Sequence, residues 1–161
     1  MPFAVVLLLA LTQVFTTPAS ASAAVSVKGA HGEVLTTSSA TFKSSSTVTV
    51  TGSYFDESVG IYLAYCVKQP AGVLPSPCGG GENKLGKGIS SYWISSNPPP
   101  YGKGLALPYK AGGRFSYPLK VTTKIGKVDC RKVTCAITVR ADHLNGNDRS
   151  FDIYIPVKFT K

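Results

Sequence analysis

Three stretches of the chain alternate apolar and polar residues with a period of two. From Phe151 to Phe159 one face carries Phe151, Ile153, Ile155, Val157 and Phe159, and the other carries Asp152, Tyr154, Pro156 and Lys158. From Arg114 to Thr122, Phe115, Tyr117, Leu119 and Val121 oppose Arg114, Ser116, Pro118, Lys120 and Thr122. From Cys135 to Arg140, Cys135, Ile137 and Val139 oppose Ala136, Thr138 and Arg140. Successive side chains of a strand point to opposite faces, so each stretch predicts a half-buried strand. Thr47–Thr51, stopped by Gly52, predicts another. Gly60–Val67 predicts a longer strand that is apolar on both faces, Val25–Val27 a short first strand, and Ile89–Ile94 a weaker one. No window sustains a helical period. Pro118 and Pro156 fall on the polar faces and lack an N–H donor, which predicts edge positions or bulges there.

Two segments break the alternation. Residues 29–46 are rich in Ser and Thr and predict a loop or a loose edge. Residues 79–113 are rich in Gly and Pro and predict a long loop insertion, of a length that is often functional or mobile. Strands parted by Gly, Ser and Pro turns predict an all-β fold, a two-sheet antiparallel sandwich.

Residues Phe3 to Phe15 are almost all apolar, Thr16-Thr17-Pro18 ends the run, and Ala21-Ser22-Ala23 follows as a small-x-small cleavage site. This predicts a secretory signal peptide over residues 1–23 and a domain over 24–161. The run is shorter than the roughly 20 residues a membrane span needs. No Lys or Arg precedes it, which points to a start codon further upstream. The expected location is secreted, extracellular or at the cell envelope.

An exported chain should pair its four cysteines, and three connectivities exist. Cys66–Cys78 and Cys130–Cys135 each close a short loop, whereas the other pairings bridge distant segments. No two cysteines are separated by two residues, as a zinc ribbon would require.

A chain of 161 residues accommodates one domain. Charged residues make up 16%, with 16 Gly and 11 Pro, which excludes a helical bundle, a coiled coil and a highly charged disordered chain. The net charge of +9 is concentrated between residues 101 and 140, where nine Lys and Arg face Asp129 alone. Lys120, Lys124, Lys127, Arg131 and Lys132 form the candidate basic patch. Outside a cell, its partners would be anionic envelope polymers or lipid headgroups; nucleic acid is not expected.

Candidate chemistry gathers at one hairpin connection, with Arg140, Asp142, His143, Asp148, Arg149 and Asp152. A metal or acid–base site would use Asp142, His143 and Asp148. The preferred reading is structural: a turn around Asn145-Gly146-Asn147, fixed by Asp–Arg pairs and side-chain-to-backbone bonds. The chain has two histidines, His31 and His143, and no Gly-x-Ser-x-Gly. No enzymatic activity, cofactor or metal is expected. Tyr92, Trp93, Tyr101 and Tyr109 are the candidate ligand aromatics; the alternative is that they pin the long loop to the sandwich.

The fragments GSYFDESVGIYLAYCV, GVLPSPC and GKVDCRKVTC and the tail Asp148 to Phe159 resemble the neocarzinostatin, or apo-chromoprotein, family. The resemblance covers roughly residues 45–78 and 112–159. It implies a secreted actinobacterial protein with a seven-stranded antiparallel immunoglobulin-like sandwich and two local disulfides. It also implies a cleft beside the first disulfide that takes an apolar enediyne. The chain is similar as well to a set of actinobacterial secreted proteins that share Trp93 to Pro99, together with Arg140, Asp142, His143, Asp148, Arg149 and Ser150. Two features depart from the family. Lys68 stands where the carriers have an aromatic two residues after the first Cys, and the carriers are acidic. The leading expectation is therefore a monomeric, non-catalytic binding or interaction module at the cell envelope. The alternative is a soluble carrier of a small apolar ligand.

Overall fold

The computed structural model of the chain describes Met1, residues 23–80 and residues 88–160. The expected export signal lies, but for its end residues, outside the described residues, as does part of the long loop. Among the described residues eleven strands follow in order: β1 Val25–Lys28, β2 Val34–Thr37, β3 Thr41–Phe42, β4 Ser46–Ser53, β5 Ile61–Val67, β6 Ser91–Ile94, β7 Phe115–Val121, β8 Lys124–Ile125, β9 Val128–Asp129, β10 Cys135–Ala141 and β11 Ile153–Phe159. The first sheet has the order β1-β2-β4-β7 and the second β3-β11-β10-β5-β6, while β8 and β9 form a separate hairpin. All pairings are antiparallel except β3 with β11.

The alternation seen in the sequence becomes the core between these sheets. Leu35, Val48, Val50, Phe115, Leu119 and Val121 are buried from the first sheet. Ile61, Leu63, Tyr65, Ile137, Val139, Ile153 and Ile155 join them from the second in one apolar cluster. Full burial of each aliphatic side chain contributes roughly 1.5–3 kcal/mol, which makes this parity the main determinant of strand register.

Each of the seven expected strands is present, joined by four short ones. The Ser/Thr-rich segment is only in part a loop or loose edge: β3 is a two-residue edge of the second sheet, but β2 is an interior strand between β1 and β4. Leu35 and Thr37 face inward from it, and the Thr37 hydroxyl donates to the Ser39 carbonyl at 2.9 Å. Four residues are too few to register as an alternating run. Phe151, expected to open the last strand, instead closes a 3-10 turn over Arg149–Phe151. There the Asp148 carboxylate accepts from the Ser150 backbone at 2.9 Å. Pro118 lies on β7, an edge strand. Pro156 lies where β11 is effectively an edge, because β3 pairs only with Lys158 and Phe159.

Disulfides close between Cys66 and Cys78 and between Cys130 and Cys135, and no cysteine is free. Closing loops this short stabilises by about 2–3 kcal/mol each. Among the described residues no helix is long and apolar enough to cross a membrane.

Candidate functional site

β5 pairs with β6 on one side and β10 on the other, and the register sets Tyr62 opposite both Trp93 and Arg140. Tyr62 follows inward Ile61, Trp93 precedes inward Ile94, and Arg140 follows inward Val139. All three therefore project from the outer face of the second sheet in one cross-strand row. The Tyr62 and Trp93 ring centroids are 6.2 Å apart, and the Arg140 guanidinium lies 4.8 Å over the Tyr62 ring.

Two loops complete the row. His143, just past β10, bridges two phenols: Nδ1 is 2.5 Å from the Tyr62 hydroxyl and Nε2 is 2.7 Å from the Tyr101 hydroxyl. Its ring meets Trp93 edge-on at 5.0 Å. Tyr101 sits on a 3-10 turn, Pro100–Gly102, and is 62% exposed. A Cβ on buried Gly102 would come within 2.5 Å of Trp93 Cη2, so only glycine lets this turn close against the indole.

Beneath the indole lies Asp142, fully buried. Its Oδ2 accepts from Trp93 Nε1 at 2.9 Å and its Oδ1 from the Leu144 amide at 2.9 Å. Gly60 makes room for it, since a Cβ there would stand 2.0 Å from Oδ2. A buried carboxylate needs such donors. Asp142 thereby fixes the indole in place and is not a free base.

The polar groups beside the row are also engaged. Arg149 pairs with Asp152 at 3.2 Å and donates to the Gly146 carbonyl at 2.6 Å. The Tyr154 hydroxyl donates to Asp152 at 3.1 Å. Burial raises the Asp152 carboxyl above its ordinary range against the pull of Arg149. Burial, helped by Asp152, pushes the Tyr154 phenol up to about 12. Burial first, and Asp142 next, raises Tyr62.

The four candidate aromatics do not share one surface. Tyr92 and Tyr109 are 3% and 7% exposed and belong to the core. Tyr92 donates to the Pro118 carbonyl at 2.6 Å, and Tyr109 donates to the Val59 carbonyl at 3.1 Å. These two bonds tie the long segment to the sandwich. Only Trp93 and Tyr101 reach the outer face, where Tyr62 and His143 join them. The sequence did not mark Tyr62, because its strand is apolar on both faces; the structure turns Ile61 and Leu63 inward and Tyr62 outward, and its partners come from strands far away in the chain.

The basic candidates lie on other elements. Lys120 lies on β7, Lys124 on β8 and Lys127 in the β8–β9 turn, with Arg131 and Lys132 in the loop closed by Cys130 and Cys135; all are exposed. Arg131 is held by Asp129 at 2.7 Å. Among the described residues the four lysines have no ion pair.

The hairpin connection carries an open depression of about 330 Å³ lined by residues 143–148. Next to it His31, stacked on Phe151 at 4.5 Å, places Nε2 2.9 Å from the Ser150 hydroxyl. This contact spans 119 positions of sequence. It does not activate a nucleophile: the hydroxyl donates to Asp148 at 2.6 Å, so the carboxylate orients the serine and not the histidine. No group of three or more His, Cys, Asp or Glu among the described residues is placed to hold a metal ion.

Near the first disulfide, Lys68 stands 5.7 Å over the Tyr154 ring. Small residues, Ala64, Ala136 and Thr138, occupy the sheet between that disulfide and the aromatic row. No family model matches the chain, and no curated protein matches it. Among solved structures the chain is similar to macromomycin, with 16% identity and a TM-score of 0.49 over 80% of this chain and 100% of that one.

Proposed function

We propose that the chain is a non-catalytic binding module of an oxidising, extracellular compartment that holds a small aromatic ligand against Tyr62, Trp93 and Tyr101. The observation that carries this reading is the fixed aromatic row on the outer face. The Trp93 indole N–H and the hydroxyls of Tyr62 and Tyr101 all bond within the protein, so the rings are oriented before any ligand arrives. Preorganised rings lose little entropy on binding, and exposed aromatic clusters mark interaction sites. The groups that would serve catalysis are committed elsewhere: Asp142 to Trp93, both His143 nitrogens to phenols, and the Ser150 proton to Asp148. Two disulfides suit an exported protein.

Trp93 is the single tryptophan, so its emission reports on the row directly. Titration with N-phenyl-1-naphthylamine, a neutral aromatic, should quench Trp93 saturably, and a Tyr62→Ala/Tyr101→Ala variant should lose that saturation. Absence of saturable quenching, or equal binding by the variant, would refute the reading.

A second reading rests on the exposed Lys120, Lys124, Lys127 and Lys132, which have no ion pair among the described residues and suit an anionic envelope polymer. Replacing Lys120, Lys124, Lys127 and Lys132 by Ser should then abolish co-sedimentation with anionic wall fragments. Salt should weaken that binding too, since screening acts over ~8 Å at physiological ionic strength.

A further inference from the structure

We infer that the ligand of the aromatic row carries an oxyanion on its ring system (a carboxylate, sulfonate or phosphate) and that Arg140 receives it. The inference rests on the aromatic-ligand reading above and names the chemistry of that same site.

Among the described residues Arg140 makes no salt bridge, although Asp152 and Asp142 act on it through space. Among the described residues its one hydrogen bond is a long contact, 3.4 Å, from Nη1 to the Ala141 carbonyl. The carboxylates around it are occupied. Asp152 is taken by Arg149 and Tyr154, and Asp142 is closed beneath Trp93 and bonded to Leu144. The guanidinium carbon lies 4.8 Å from the Tyr62 ring centroid, and beyond the Ala141 contact its N–H groups make no hydrogen bond among the described residues, so they can serve a bidentate oxyanion.

The surroundings favour such a partner. Burial, and then the neighbouring Arg149, lower the affinity of Arg140 for its proton. An anion docked on the guanidinium would offset both effects. The spacing fits as well. Arg140 and Trp93 flank Tyr62 in one row, two strand spacings apart, or roughly 10 Å. That is the reach of a fused bicyclic ring bearing an anionic substituent at one end. The ring would meet Trp93 and Tyr101 while the oxyanion meets Arg140.

A matched pair of probes separates this inference from the reading beneath it. N-phenyl-1-naphthylamine and 8-anilino-1-naphthalenesulfonate share one ring skeleton and differ by the sulfonate. Affinity is read from Trp93 quenching for the wild type, Arg140→Gln and the Lys124→Ser/Lys127→Ser/Lys132→Ser variant. The sulfonate should bind wild type at least about tenfold more tightly, as expected for a hydrogen bond to a charged group. That preference should vanish in Arg140→Gln and persist in the lysine variant. Equal affinity of the two probes for wild type would overturn the oxyanion inference and leave the aromatic reading standing. Binding of neither probe would overturn both. A preference that survives Arg140→Gln but disappears in the lysine variant would move the anion to those lysines and overturn the inference too. The wild-type comparison decides the question even if a variant folds poorly.

Discussion

Tyr92 and Trp93 are neighbours on β6, yet they do opposite work. Tyr92 turns inward, stacks on Tyr117 at 4.6 Å and ties the two sheets together through Pro118. Trp93 turns outward, rests on buried Asp142 and shares a surface with Tyr62, Tyr101 and His143. The same division separates Tyr109 from Tyr101. Aromatic content in a long segment is therefore no guide to a binding surface. Strand parity sends Tyr92 to the core and Trp93 to the surface, where cross-strand register and the Pro100–Gly102 turn assemble the row.

The largest effects should come from the inward pair. Tyr92→Ala and Tyr109→Ala should each lower unfolding free energy by about 3–5 kcal/mol in chemical denaturation, as for other buried aromatics. A smaller loss from either would mean the inward rings are not core.

Alkaline pH should probe the same pair without truncation. Burial raises the phenols of Tyr65, Tyr92, Tyr109 and Tyr117. Below pH of about 10 both the folded and unfolded states keep these protons. Above it the unfolded chain ionises first, so stability falls as pH rises through the raised native values. Melting temperatures should drop more steeply above pH 10 in wild type than in Tyr92→Phe/Tyr109→Phe. Equal slopes would argue against buried phenols as the source.

An intermediate effect is expected from Trp93→Phe. It keeps a ring on the outer face but removes one of the two donors to Asp142. Leaving a buried acceptor short should cost about 1–3 kcal/mol. A loss as large as that of Tyr109→Ala would place Trp93 with the core residues instead. Tyr101→Ala should be smaller still, within about 0.5 kcal/mol as for other exposed positions, while weakening the neutral naphthylamine. Unchanged binding with unchanged stability would remove Tyr101 from the site.

The strands that were legible in the sequence are those with long alternating runs, such as β7, β10 and β11. β2 was not, because Val34–Thr37 is a single short repeat inside Ser and Thr. The cystines were legible because each closes a short loop. The row was legible only in part. The outward direction of Arg140 follows from alternation, whereas the β5 stretch is apolar on both faces and gives none for Tyr62; their adjacency depends on β5 pairing with β10, with Arg140 78 positions beyond Tyr62. His143 bridging Tyr62 and Tyr101, like His31 reaching Ser150, joins side chains that no local pattern links.

The most direct test of the outer-face account is a ¹H–¹⁵N titration with N-phenyl-1-naphthylamine. The single indole N–H signal belongs to Trp93. It should shift saturably together with the amides of Tyr62, Tyr101, Arg140 and His143, while those of Lys120 to Lys132 stay in place. Shifts gathered on Lys120 to Lys132, or no saturable shift of the indole, would contradict the account.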